Sequence, residues 1–91
     1  MIADLGRLQG PDSGTVKLPI WLDWTPAPEY DLGDIERVQV MYETVLGEAM
    51  NEADLTRHLN RAVLIRIWGS LILPEFIRQG WEGAHPELRT D

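Results

Sequence analysis

The sequence contains no cysteine, one lysine and one phenylalanine in 91 residues. The absence of cysteine excludes disulfide bonds and thiolate metal ligands, and it fits a reducing compartment. The longest apolar stretch, over 62–73, is interrupted by Arg66 and is far shorter than a membrane span. The N-terminal residues contain no basic region followed by an apolar run, so a secretory signal peptide is not expected. These absences predict a soluble, cytoplasmic protein.

Negative charge is what the sequence has in excess. Fifteen acidic residues against eight basic ones give a formal net charge of −7 at pH 7. Residues 1–56 carry a balance of −8, whereas residues 57–91 carry +1. An acidic surface disfavours direct contact with nucleic acid or anionic membranes and attracts a basic protein partner. The asymmetry indicates an interaction face, although a solvated acidic surface without a partner explains it equally well.

Length and composition predict one small domain with a modest core, since 44% of the residues are hydrophobic. Residues 1–16 are rich in glycine and turn-forming residues and predict a flexible N-terminal tail. Residues 17–91 predict a single helical domain that includes an extended arm over 17–32. The predicted fold class is mainly α: a small irregular bundle of three to four short helices with an extended N-terminal arm rich in proline and tryptophan.

The arm carries an apolar side chain at every second position: Val16, Leu18, Ile20, Leu22 and Trp24. This alternation is typical of an extended segment with one buried face. The prolines within 19–28 exclude a helix interior and limit the segment to an edge strand or a polyproline-like strip. The buried face packs either on the helices of the same chain or on a partner. In this pattern Trp21 points away from that face.

Four helices follow the arm, each with apolar residues at three-and-four spacing. The first covers 34–50 with Asp34 as its N-cap, and Asn51 caps a short second helix. The third covers 61–71, and Pro74 suits the first position of the fourth. The inner face of the fourth helix is expected to hold Phe76, Ile77 and Trp81.

The sequence predicts no enzyme, no cofactor and no metal site. His58 and His85 stand 27 positions apart without cysteine, whereas zinc sites use three or four ligands with closely spaced pairs. Ser13 and Ser70 lie in no nucleophile context. Asp31 and Asp34 resemble an acid–base pair, but their place at a helix start explains them as caps.

A small helix-turn-helix regulator is the main alternative from another functional class. The second and third helices fit that motif in length, and Arg57, Arg61 and Arg66 supply its positive charge. Arg57 and Arg61 share a face only if one helix runs through Asn60. The apolar character of residues 63–68 leaves few side chains for base edges, so arginines lying along a helical surface are the simpler interpretation.

The order of landmarks from Leu18 to Leu88 is LPIWLDW, YDL, MYETVLGEA, a short DL segment, IWGSLILP and WEGAHPEL. It resembles short bacterial proteins encoded next to nucleotidyltransferase-like toxins and regarded as antitoxins or small regulators. The resemblance covers about three-quarters of the chain and rests on aromatic and proline positions. It implies a non-enzymatic protein that acts by contact, and it assigns no functional residues.

The sequence as a whole predicts an acidic protein-interaction module, antitoxin-like in action, that binds and neutralises a basic protein. An inhibitor that mimics nucleic-acid charge, as in phages, is a second interpretation of the same acidity, and a homodimer through the arm is open. The predicted partner-binding residues combine aromatic and apolar anchors with flanking carboxylates: Ile20, Trp21, Asp23, Trp24, Glu29, Tyr30, Asp31 and Glu36.

Overall fold

A computed structural model of the chain describes residues 4–19, 21–22, 29–49 and 51–89. The described residues are mainly helical, as predicted, with one two-stranded antiparallel sheet. The strands are β1 (Thr15–Lys17) and β2 (Glu29–Asp31), and the α-helices are α1 (Ile35–Glu48), α2 (Glu52–His58), α3 (Arg61–Ile67) and α4 (Glu75–Ala84). Single 3₁₀ turns occupy Leu5–Arg7, Trp68–Ser70 and Pro86–Leu88. In this part of the chain no helix combines the length and apolar character needed to cross a bilayer.

The predicted starts of the first three helices are confirmed by their caps, whereas α4 begins at Glu75 and Pro74, predicted as its first residue, is the N-cap residue. The Asp34 carboxylate accepts hydrogen bonds from the backbone N–H groups of Glu36 and Arg37, at 3.1 and 3.4 Å. The Asn51 side chain accepts from the third residue of α2 at 3.1 Å, and the Asn60 side chain does so for α3 at 3.2 Å. Each cap satisfies N–H groups that have no partner within the helix. Asn60 therefore separates α2 from α3, and no helix runs through it.

The third helix is shorter than the predicted 61–71. It ends at Ile67 and passes into the 3₁₀ turn Trp68–Ser70, where Gly69 and Ser70 are weak helix formers. The guanidinium of Arg78, on α4, donates to the carbonyl oxygens of Trp68 and Leu71. Because Arg78 of α4 donates hydrogen bonds to these two carbonyl oxygens, the helix can end here while both oxygens keep a hydrogen-bond partner.

The described part of residues 1–16 is packed against the helices rather than forming the predicted flexible tail. Leu5 and Leu8 are buried in the core. The backbone N–H groups of Gln9 and Gly10 donate to the carbonyl oxygens of Thr56 and Leu59, each at 2.8 Å. We call this pairing of residues 5–10 with residues 56–60 the N-terminal clasp. The glycine-rich composition suggested mobility, but these backbone groups have partners far along the chain.

The extended segment of the arm is shorter than predicted. Strand β1 pairs with β2 over only three residues, and Val16 lies opposite Tyr30. The strand ends before Pro19, which has no N–H to continue a ladder, and the N–H of Leu22 donates to the Pro19 carbonyl at 3.0 Å to close a turn. Leu18 and Leu22 are buried in the chain's own core, while Trp21 is 53% exposed. Ile20 and Trp24 lie outside the described residues.

The fourth helix packs around a pair of tryptophans. Trp68 and Trp81 are buried with ring centroids 6.3 Å apart, and the indole N–H of Trp68 donates to Glu82 at 2.8 Å. Phe76 is 77% exposed, so its predicted place on the inner face is wrong. Phe76 and Ile77 are neighbours in the first turn of α4 and lie on different faces of the helix, and it is Ile77 that packs against the core.

Candidate functional site

The end of β2 and the first turn of α1 form an exposed acidic surface. We call it the acidic corner, and it consists of Glu29, Asp31, Asp34, Ile35 and Glu36. All five are exposed, with the Ile35 side chain 51% accessible. The N–H of Asp34 donates to the Asp31 carbonyl at 3.0 Å, so a tight turn holds strand and helix together. The result is one aliphatic side chain with four carboxylates close to it in the chain.

Arg37 fixes the geometry of the acidic corner from its inner side. Its guanidinium carbon lies 4.3 Å from the centroid of the Tyr30 ring, and Nη2 donates to the Glu29 carbonyl oxygen at 2.9 Å. Tyr30 is 3% exposed. Arg37 thus braces β2 against α1 by a cation–π contact and a hydrogen bond, and the carboxylates around it are held on rigid elements.

The eight predicted partner-binding residues divide into four groups. Glu29, Asp31 and Glu36 come together on the acidic corner. Tyr30 is buried beneath Arg37, so it supports the corner and does not stand on the surface as predicted. Ile20, Asp23 and Trp24 lie outside the described residues, which leaves Trp21 as the exposed aromatic of the set.

Trp21 is held in place from the side of α2. Its indole N–H donates to the Oδ1 atom of Asp54 at 3.0 Å, and Asp54 is buried. The hydrogen bond spans 33 positions of sequence. Trp21 lines a groove with Lys17 and Arg57, so its surroundings carry positive charge, unlike those of the acidic corner.

Sequence reasoning missed Ile35 and Arg37 as parts of the corner. The helical pattern placed Ile35 on the apolar face of α1, but the first helical residue projects beyond the end of the core. The sequence signal for this exposure is the position of Ile35 directly after the N-cap Asp34, at the start of the helix. Arg37 carried no signal, because its contact with Tyr30 depends on the strand pairing that precedes α1.

The three arginines of the helix-turn-helix alternative do not form one stripe. Arg57 lies on α2, while Arg61 and Arg66 lie on α3 beyond the Asn60 cap, and all three are exposed. Arg57 and Arg61 would share a face only on one continuous helix. Because α2 and α3 are separate helices, this condition is not met. Val63, Leu64 and Ile67 of α3 face the core.

The two histidines have different structural roles. Nδ1 of His58 lies 2.8 Å from the Asp54 carbonyl oxygen, one turn earlier in α2. His85 is buried, with its ring centroid 5.5 Å from that of Trp81, and its Nε2 has no hydrogen-bond partner within the described part of the chain. Among the described residues, no three histidine or carboxylate side chains come together in a way that would hold a metal ion.

Comparison with known proteins gives no relative from which a site can be transferred. No family model, no curated protein and no solved structure matches this chain.

Proposed function

We propose that this protein is a non-enzymatic interaction module that binds a basic protein partner through the acidic corner. The observation that carries the proposal is the exposure of Ile35 among carboxylates that rigid elements hold in place. An apolar anchor surrounded by charge of one sign is the arrangement of many protein-binding surfaces, with the anchor supplying affinity and the charge supplying steering and specificity.

The charge of the whole chain favours the same kind of partner. At a net charge of −7 the protein attracts basic surfaces over distances comparable to the Debye length, about 8 Å at physiological salt. Arg37 is the basic residue that contacts the corner, and its guanidinium is engaged by Tyr30 and the Glu29 carbonyl. Of the two carboxylates on β2, Glu29 lies opposite the exposed Lys17 and Asp31 lies opposite Thr15, so a basic partner competes with Lys17 at Glu29.

The finer form of the proposal concerns what binding achieves. We propose that the partner is a toxin and that the module neutralises it by covering its basic surface. The support for this step is the resemblance to proteins encoded beside nucleotidyltransferase-like toxins, together with the acidity of the corner.

A matched pair of triple variants tests the corner. The corner variant combines Glu29→Gln, Glu36→Gln and Ile35→Ser, and leaves the Asp34 cap intact. The control variant combines Glu48→Gln, Glu52→Gln and Val40→Ser, which removes the same charge and an exposed aliphatic side chain elsewhere, since Val40 is 43% accessible. Both variants lose two negative charges and one exposed aliphatic side chain, so net charge alone cannot separate them.

The partner is first captured from the native host with tagged wild-type protein and then purified for affinity measurements at several salt concentrations. We expect the corner variant to bind at least tenfold more weakly with a shallower salt dependence, and the control to bind within about twofold of wild type. Equal affinity of the two variants, or no captured partner even at low salt, would refute the proposal. For the finer form, the captured partner should arrest growth when expressed alone, and co-expression of wild type, but not of the corner variant, should relieve the arrest.

A further inference from the structure

A groove lies between the end of β1 and the last turn of α2, next to the acidic corner but lined by none of its five residues. Its volume is about 370 Å³, within the range of small-molecule sites in proteins. Six residues line it: Lys17, Leu18, Pro19, Trp21, Arg57 and His58.

Two basic residues line the groove although the protein is strongly acidic. Lys17 is the only lysine of the sequence, and it lines the groove together with Arg57. Among the described residues neither of these two side chains forms an ion pair with a carboxylate. The Asp54 carboxylate is buried behind the Trp21 indole and does not line the groove. Two cations facing one cavity favour an anionic ligand, with phosphate a common choice for such a pair.

The aromatic wall of the groove is both exposed and fixed. The N–H at the edge of the Trp21 indole is bound to Asp54 at 3.0 Å, and the backbone N–H of the next residue, Leu22, donates to the Pro19 carbonyl oxygen at 3.0 Å. A large aromatic that is half exposed is available for stacking, and its orientation requires little further ordering when a flat ligand binds. Aromatic faces beside cations are the elements with which proteins hold nucleotides and single strands.

His58 contributes a ring nitrogen whose hydrogen-bonding role can be assigned from its neighbour. Nδ1 lies 2.8 Å from the Asp54 carbonyl oxygen, and a carbonyl oxygen only accepts hydrogen bonds. We assign the ring hydrogen to Nδ1 on this ground, so Nε2 is the acceptor in the neutral ring. An acceptor beside a stacking surface suits the amino group of a nucleobase.

We infer that this groove binds a nucleotide, with the base stacked on Trp21 and the phosphate between Lys17 and Arg57. The same chemistry is presented by a free mononucleotide and by a terminal nucleotide of a single strand. The site uses none of the five residues of the acidic corner, although Lys17 lies opposite Glu29 in the β1–β2 ladder, and it assigns Trp21 a role different from anchoring a basic protein.

The test uses the full chain at low salt, with AMP, adenosine, inorganic phosphate and a six-residue oligoadenylate as probes. Calorimetry measures affinity, and the NMR signal of the Trp21 indole N–H reports the place of binding. We expect AMP to bind saturably and to shift that signal, with adenosine and phosphate each at least tenfold weaker. Oligoadenylate binding at least tenfold tighter than AMP would identify a strand as the source, whereas similar affinities would identify the free nucleotide.

Two double variants distinguish binding of AMP in the groove from a general effect of positive charge. Lys17→Met combined with Arg57→Met should weaken AMP binding at least tenfold. Arg61→Met combined with Arg66→Met removes the same charge from exposed positions on α3 and should change it less than twofold. The inference is overturned if neither AMP nor oligoadenylate binds at millimolar concentration, if phosphate alone binds as well as AMP, or if both double variants lose affinity equally.

Discussion

The side-chain amide of Asn60 donates a hydrogen bond to the carbonyl oxygen of Gly10 at 3.2 Å and joins residues 50 positions apart. The Oδ1 atom of the same side chain caps α3, and the backbone N–H of Asn60 donates to the Tyr42 hydroxyl at 2.9 Å. One asparagine therefore connects the N-terminal clasp, α1 and α3. The stability of the protein should therefore depend on the contacts of Asn60 and of the residues around it.

Gly10→Ala should destabilise the protein. A Cβ at Gly10 would lie 2.6 Å from the carbonyl carbon of His58 and 2.8 Å from the N atom of Leu59. These are backbone atoms, so the clasp must separate from α2 to admit a methyl group, at a cost of about 1–3 kcal/mol. Urea denaturation measures the loss. Gly47→Ala is the matched control, because a Cβ in that helical position meets nothing within 4 Å and should stabilise by about 0.5–1 kcal/mol. A stable Gly10→Ala variant would mean that the clasp is not formed in solution.

The Tyr42 hydroxyl should make stability fall at alkaline pH. Burial raises the pKa of Tyr42 from 10.0 to about 12. Between those two values the unfolded chain loses the phenolic proton and the folded protein keeps it. Stability from this group is therefore complete below pH 10 and declines as the pH rises toward 12, by an amount on the order of 2 kcal/mol.

Tyr42→Phe isolates this effect from other groups that titrate at high pH. The variant loses the acceptor of the Asn60 N–H, so it should be less stable than wild type at pH 7 by about 1 kcal/mol. Its stability should decline less steeply between pH 10 and 12, as followed by urea titrations at fixed pH. Parallel curves for the two proteins would contradict a raised pKa at Tyr42.

Arg78→Met should destabilise the end of α3. Arg78 donates to the carbonyl oxygens of Trp68 and Leu71, and its guanidinium carbon lies 5.2 Å from the Trp68 ring centroid. Methionine keeps much of the aliphatic stem but removes the side-chain donor of the Leu71 carbonyl and leaves the Trp68 carbonyl with only the Leu71 N–H, at a cost of about 1–3 kcal/mol. The exposed Arg89→Met serves as the control and should change stability by less than about 0.5 kcal/mol. Thermal unfolding followed by circular dichroism measures both, and equal midpoints would exclude a capping role for Arg78.

Phe76→Ser should leave stability unchanged and reduce surface hydrophobicity. The side chains of Phe76 and of Ile72, four residues earlier, are 77% and 85% exposed, so the serine removes little buried area. The neighbouring Ile77→Ser should cost about 1–3 kcal/mol, because Ile77 packs against the core. Chemical denaturation and binding of a hydrophobic dye compare the two variants. A loss for Phe76→Ser as large as that for Ile77→Ser would place Phe76 inside, as the sequence predicted.

The helix starts were predictable from the sequence because their signals are local. Asp34, Asn51 and Asn60 each satisfy N–H groups within three residues, so short-range spacing identifies them. The mainly α class followed from the apolar periodicity of α1 and α3. The end of α3 was not predictable, since it depends on Arg78 from a later helix.

The clasp and the two surfaces depend on long-range placement. Residues 5–10 have a composition typical of a tail, and only the backbone of 56–60 gives them an ordered place. Three carboxylates of the acidic corner, Glu29, Asp31 and Glu36, were predicted as partner-binding residues and Asp34 only as a cap, whereas the bracing by Arg37 requires the β1–β2 pairing. The groove was not predicted, because it joins Lys17 with Arg57, which are 40 positions apart.

The N-terminal clasp also determines an order of events during folding. The 3₁₀ turn Leu5–Arg7 contacts α3, and the bond between Asn60 and Gly10 closes a loop of fifty residues. The entropy lost in closing such a loop must be overcome before its contacts contribute. During synthesis, Leu5 and Leu8 leave the ribosome well before residue 60, so their apolar side chains remain uncovered until α3 has emerged. Residues 5–10 are therefore made before the helices that hold them and reach their native positions after those helices.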